Sequence, residues 1–295
     1  MKKYKFFLIQ LFLILSIIAC AKDIEKPTEN TTPTDEIPKM KLVWSEEFNV
    51  DGKPNPEFWR YENGFVRNEE LQWYQSENAN CSGGLLVIEG RREKIPNPNY
   101  VPGSGIWKTN REFANYTSAS INTQGSKDWL YGRFEIKARI DTTLGSWPAI
   151  WTLGTTNQWP SNGEIDIMEF YRVKGAPSLL ANVAWGTAKA WVAKWHSEII
   201  PFSSFTAKDA DWAKKFHVWR MDWTSEYIKL YIDDELYNTT LLSQTINADG
   251  SNPFKKPQYL LLNLALGGNG GDPKGSNFPI KYEVDYVRVY QDNNK

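Results

Sequence analysis

The segment Glu164-Ile165-Asp166-Ile167-Met168-Glu169 places three acids within one short run. From Glu164 to Ile167 acid and apolar residues alternate, which is the period of a strand. Such a strand buries Ile165 and Ile167 on one face and presents Glu164 and Asp166 on the other, roughly 6.6 Å apart at ~3.3 Å per residue. Like charges that close raise one another's pKa and cost stability. An exposed polar strand face is the plain alternative. Against it, no Lys or Arg alternates with the acids, and large aromatics bracket them: Trp147, Trp151 and Trp159 before, Phe170 and Tyr171 after. Glu169 is also one residue out of step. On a regular strand it falls on the face opposite Glu164, and one extra residue near Ile167-Met168, a β-bulge, returns it to the same face.

Paired carboxylates on one face suit glycoside hydrolysis, one as nucleophile and one as general acid and then base. A retaining reaction needs the two at about 5–5.5 Å. Residues 164 and 169 start roughly 13–16 Å apart along an ideal strand. Sheet curvature and side-chain lean must bring them together. Asp166 between them is placed to hydrogen-bond the nucleophile and hold the pair at different pKa values.

The elements that must position these acids are strands. Short runs such as "LLVIEG", "YGRFEIKARI", "FHVWRMDW", "YIKLYIDDELY", "QYLLLNLAL" and "YEVDYVRVY" alternate or are rich in β-formers, and Gly, Pro, Asn and Asp separate them. In "YGRFEIKARI" Phe134, Ile136 and Ala138 share one face, and Arg133, Glu135, Lys137 and Arg139 the other. Asp233-Asp234 reads as a hairpin turn and "DADWAKKF" as one short helical turn. No long helical periodicity, repeat or second domain boundary occurs. The pattern predicts an all-β sandwich or barrel, and 295 residues suffice for one such domain.

Composition narrows the function. Basic and acidic residues number 34 and 35, with no basic stripe, so nucleic acid is not an expected partner. Two cysteines, Cys20 and Cys81, exclude a disulfide framework, and two histidines, His196 and His217, leave little for a zinc site or a Ser-His-Asp triad. The 14 tryptophans exceed what core filling needs. Residues 1–20 have a basic start and an apolar run from Phe6 to Ala19, as a secretory signal does. The end of this run, Ile17-Ile18-Ala19-Cys20, resembles a bacterial lipobox, which implies lipidation of Cys20 and a tethered protein at the outer membrane, cell surface or periplasmic face. Residues 21–40, rich in Pro and Thr, read as a flexible linker, and residues 41–292 as the catalytic domain.

The runs "LVWSEEFN", "NEELQWY", "GSWPAIW", "QWPSNGEIDIMEF", "FHVWRMDWT", "YLLLNLALGG" and "YEVDYVRVYQ" together resemble glycoside hydrolase family 16 over nearly the whole domain. The resemblance implies a β-jelly-roll sandwich of two antiparallel sheets with a glycan cleft. It implies Glu164 as nucleophile, Glu169 as acid/base and Asp166 as their assistant, with no cofactor for catalysis. It also implies a structural calcium between the domain termini, with Glu47 and Asp285 as the matching acids. Trp147 and Trp151 would line the subsites beside the cleaved bond.

Indoles suit the apolar C–H faces of sugars, which makes Trp159 and Trp185 further substrate-binding candidates. Asn68 and Asn263, polar residues in β-like runs, are candidates for hydroxyl recognition, and His196 is placed to face the cleft. Trp219, Trp223 and His217 read as scaffold. Laminarinase-like members often carry His-Trp-Gly on the strand after the acids, where this chain has "NVAWGT" with Ala184 in place of the His. That change, with the Lys194–Ser197 stretch after it, resembles members that cut galactose-containing chains. The expected activity is therefore that of a monomeric endo-acting retaining β-glycosidase, leaning to endo-β-1,4-galactosidase on N-acetyllactosamine-type chains. An endo-β-1,3(4)-glucanase is the alternative. A non-catalytic glycan-binding lipoprotein has no reason to keep all three acids. Transglycosylation would use the same acids.

Overall fold

The computed structural model describes residues 40–292; the expected signal, lipidated Cys20 and almost all of the linker lie outside them. Two antiparallel sheets carry the domain. One has seven strands in the order Ala193–Pro201, Ala176–Gly186, Glu164–Val173, Ser146–Gly154, Gln258–Leu266, Ser120–Asn122, Arg60–Tyr61. The other runs Glu235–Leu241, Tyr227–Ile232, His217–Trp223, Gly132–Ile140, Ile280–Asp292, Leu85–Gly90, Ala79–Ser82, with Met40–Glu46 also on Ile280–Asp292. This is the sandwich that the alternation predicts.

The reason is visible strand by strand. Gly132–Ile140 alternates buried and half-buried residues throughout, with Phe134, Ile136 and Ala138 in the core. Each large apolar side chain so buried is worth about 1.5–3 kcal/mol. In Gln258–Leu266, Leu260, Leu262, Leu264 and Leu266 enter the same core. Tyr259, Leu261, Asn263 and Ala265 take the opposite face, and Tyr259 and Leu261 join Ala149 and Trp151 in a separate apolar cluster there. The seven-stranded sheet thus has two working faces, one on the core and one outside it.

The hairpin between Tyr227–Ile232 and Glu235–Leu241 turns at Asp233-Asp234, both in the left-handed region, as a two-residue turn matched to strand twist requires. Trp212–Lys214 forms one short helical turn. His217 is scaffold: its ring stacks on Trp212 at 3.7 Å, Nδ1 meets Asp233 Oδ2 at 2.5 Å and Nε2 meets the Trp212 carbonyl at 2.9 Å. Cys81 is buried and free.

Candidate active site

The acids lie on Glu164–Val173, the third strand of the seven-stranded sheet. Gly163 precedes them at φ +79°, and a Cβ there would meet Pro253 at 2.8 Å, so glycine alone starts the strand at this point. Against the neighbouring Ala176–Gly186 strand, Glu164 faces Ala184, Asp166 faces Asn182 and Glu169 faces Leu180. Three residues on one strand span two on the other, which is the bulge expected near Ile167-Met168. Both bulge residues enter the core, so Glu169 turns back to the face of Glu164 and Asp166. Together the three line a groove of about 830 Å³.

Each carboxyl has its own donor. The Trp159 indole N–H donates to Glu164 Oε2 at 2.6 Å. The Trp147 indole N–H donates to Glu169 Oε1 at 2.9 Å. Asn182 Nδ2 donates both to Asp166 Oδ2 at 3.1 Å and to Glu169 Oε2 at 3.0 Å. Asp166 is within hydrogen-bonding reach of both glutamates.

Burial raises all three pKa values, because it penalises the charged form. Glu169 is pushed up to about 7, by burial first and by the charge of Glu164, against the Trp147 donor. Asp166 is held well above its ordinary value by burial and by its two acidic neighbours. For Glu164 the donors Trp159 and Asp166, and the positive charge of Arg67, oppose the rise. Asp166 is thus biased toward its protonated form between the two glutamates, while Glu169, near 7, is poised to give or take a proton. That is the separation of roles that acid/base chemistry on a glycosidic bond requires.

Of the binding candidates, Trp147, Trp151, Trp159, Asn68 and Asn263 all line the groove. Trp151 donates to Asn263 Oδ1 at 2.7 Å, and Asn263 Nδ2 donates to the Tyr74 hydroxyl at 3.1 Å, so Asn263 orients an indole as well as facing the groove. Trp185 does not line it. Strand parity turns Trp185 inward with Val183, into the core, while Asn182 lines the groove and Ala184, on the same strand face as Asn182, is fully buried. His196 is in register with Val183, not with Ala184, and bonds Thr240 at 2.7 Å instead of facing the groove.

Glu47 and Asp285, the acids matched to the implied calcium, each pair with a cation of the chain. Arg288 holds Glu47 through two bonds of 2.9 Å, Lys137 holds Asp285 at 2.7 Å, and no cluster of three metal-ligating side chains occurs among the described residues.

Asn182, Trp195 and Arg67 also line the groove. Asn182 is a polar residue in an apolar alternating run, the same signal that marked Asn263. Trp195 stands in register with Ala184 on the edge strand and lines the groove. Arg67 pairs with Glu62 and lies 5.0 Å over the Trp151 ring. The tryptophans divide accordingly. Trp44, Trp59, Trp129, Trp185, Trp212, Trp219 and Trp223 are core, whereas Trp147, Trp151, Trp159 and Trp195 wall the groove.

A groove walled by indoles over a row of proton-tuned carboxyls, on the outer face of a β-sandwich sheet, is the equipment of an enzyme that cuts glycosidic bonds within a chain. Comparison with known proteins agrees. The profile of glycosyl hydrolases family 16 matches residues 103–288. A "Beta-glucanase" of Rhodothermus marinus is 36% identical, over 95% of this chain and 93% of its own. A "Keratan-sulfate endo-1,4-beta-galactosidase" of Sphingobacterium multivorum is 28% identical, over 99% of this chain and 68% of its own. A solved structure from work on endo-acting O-glycanases by which human gut bacteria initiate mucin breakdown superposes with a TM-score of 0.77. It is 34% identical and covers 86% of this chain and 91% of its own. The chain belongs to glycosyl hydrolases family 16, and it is an endo-acting β-glycosidase.

Proposed function

We propose that the protein is a retaining endo-β-1,4-galactosidase acting on N-acetyllactosamine-type chains, such as those of keratan and mucin O-glycans. Glu164 attacks the anomeric carbon while Glu169 protonates the departing glycosidic oxygen. The C–O bond to the aglycone breaks as the glycosyl ester forms. Glu169, now a carboxylate, takes a proton from water, which displaces Glu164 and restores both groups. Asp166 donates a hydrogen bond to the Glu164 carboxylate, and Asn182 orients Asp166 and Glu169 together.

One observation carries the substrate reading. In the row Glu164, Ala184, Trp195, the middle residue is a fully buried methyl, and the last is an indole 45% exposed at the groove. An exposed indole therefore stands at the groove two strands from the nucleophile, with no large side chain between them in that row. Galactose, with its axial 4-hydroxyl, leaves the opposite ring face as continuous C–H surface, and such a face stacks on an indole. The second reading, a β-1,3(4)-glucanase, is favoured by the 36% identity to the β-glucanase.

Mass spectrometry of products from keratan, mucin glycans, agarose, laminarin and mixed-linkage glucan tests the choice. Oligosaccharides from keratan or mucin with glucans untouched support the galactosidase, and products from glucans alone refute it. We also propose that lipid on Cys20 tethers the protein to the membrane, so that Cys20→Ser moves it from the membrane fraction to the soluble one. An unchanged distribution refutes the anchor.

A further inference from the structure

The groove does not end at Trp159. Trp159 also walls a second hollow of about 500 Å³, formed by residues 157–161 and 187–191 with Asp249. Trp191, on its rim, is 65% exposed. Its backbone is held at φ 62°, a region that a bulky side chain enters at a cost of about 1–3 kcal/mol. Strain and an indole set in water are two penalties at one residue, and such outliers point to function.

The hollow is also preformed. The Thr187 hydroxyl donates to the Val192 carbonyl at 2.7 Å, and the Val192 N–H to the Lys189 carbonyl at 3.2 Å, which closes the loop carrying Trp191. Beneath it, Asn247 Oδ1 accepts from the Gly186 N–H at 2.7 Å, and Asn247 Nδ2 donates to the Ser161 carbonyl at 2.9 Å and to Ser251 Oγ at 3.1 Å. A Cβ on Gly186 would stand 2.5 Å from Ser161 Oγ and 3.1 Å from Asn247 Oδ1, so the two segments meet closely here. A rigid frame thus presents one exposed indole beside one cation, Lys189, and one anion, Asp249. That combination suits a neutral sugar, with a ring to stack and hydroxyls to bond.

We propose that this hollow is a distal subsite on the glycone side of the cleavage point, where Trp191 stacks on a sugar ring and makes the enzyme favour longer chains. The side follows from Trp159, which separates the hollow from the main groove and bonds Glu164, the group that holds the glycone in the covalent intermediate. This assignment of side rests on Glu164 being the nucleophile; the subsite itself does not.

The test uses the full-length protein and its Trp191→Ala and Trp191→Tyr variants. The substrates are oligosaccharides of increasing length, labelled at the reducing end and cut from whichever polysaccharide the enzyme depolymerises. In Trp191→Ala the ratio of kcat/KM on the longest chain to that on the shortest falls about tenfold. Trp191→Tyr keeps most of the ratio. The alanine variant also releases longer labelled fragments, because fewer sugars are held on the glycone side. An equal loss at every length, or no loss, overturns the subsite. A shift to shorter labelled fragments with the length effect intact overturns only the side, and with it the Glu164 assignment. A glucan rather than a galactan as the polysaccharide refutes the substrate reading alone.

Discussion

The two indole donors make opposite limbs of the pH profile separately movable. Trp147→Phe keeps a ring of similar size but removes the N–H that donates to Glu169 Oε1 at 2.9 Å. That bond stabilises the charged form, so losing it raises the Glu169 pKa. A hydrogen bond to a charged group is worth about 1.5–3 kcal/mol, and about 1.4 kcal/mol is one pKa unit, which gives roughly one to two units. Glu169 is partly exposed, and water replacing the indole recovers part of this, leaving roughly one unit. With Glu169 at about 7 in the native protein, the basic limb of kcat/KM, where the acid loses its proton, moves from near pH 7 to about pH 8. Trp159→Phe instead removes the 2.6 Å bond to Glu164. It raises the pKa of the group that must be ionised, so the acidic limb moves up and the active range narrows. The acids titrate as a coupled set, so the diagnostic result is which limb moves. The assay is initial rate on the cleaved polysaccharide at subsaturating concentration across pH 4–10, roughly three units either side of the Glu169 value. A basic limb that stays fixed or moves down in Trp147→Phe refutes the role given to Glu169.

Other consequences follow from the same structure. Glu164→Gln abolishes turnover while circular dichroism and polysaccharide binding persist; residual turnover at the native rate would remove Glu164 as nucleophile. Glu169→Ala lowers the rate on polysaccharide by about 10²–10⁴-fold, and aryl glycosides with good leaving groups recover part of it; equal loss on both substrates would argue against proton donation. Trp223 is 1% exposed and its indole donates to the Phe254 carbonyl at 3.0 Å. Trp223→Ala therefore destabilises by about 3–5 kcal/mol, read as a fall in the urea midpoint; a change below about 1 kcal/mol would mean that the site collapses fully. If the Arg288 and Lys137 pairs alone satisfy Glu47 and Asp285, a calcium chelator leaves the melting temperature unchanged; a clear drop would show that an ion is bound.

Local signals were legible in the sequence. Period 2 fixes which residues of Gly132–Ile140 and Gln258–Leu266 enter the core, and the out-of-step Glu169 foretells the bulge because a one-residue slip changes face. What depended on pairing between strands was not. Trp185 sits beside Ala184, and only the register with Glu164–Val173 decides which of the two shares the strand face of Asn182. Asn182 acquires its two acidic partners from that register, and Trp195 its place beside the nucleophile from the next one. The Glu47–Arg288 pair joins residues 241 positions apart, so the partner of Glu47 could not be read from its local sequence.

The bulge sets Glu164 and Glu169 on one face, the arrangement a covalent double displacement requires. The anomeric configuration of the first product tests it most directly. Proton NMR during the earliest minutes of cleavage reads the new reducing end before it mutarotates. The β anomer, retained from the substrate, is the expected first product. An α anomer at first appearance would mean direct attack by water, with the two carboxylates farther apart and Glu164 acting as a base, and would contradict that arrangement.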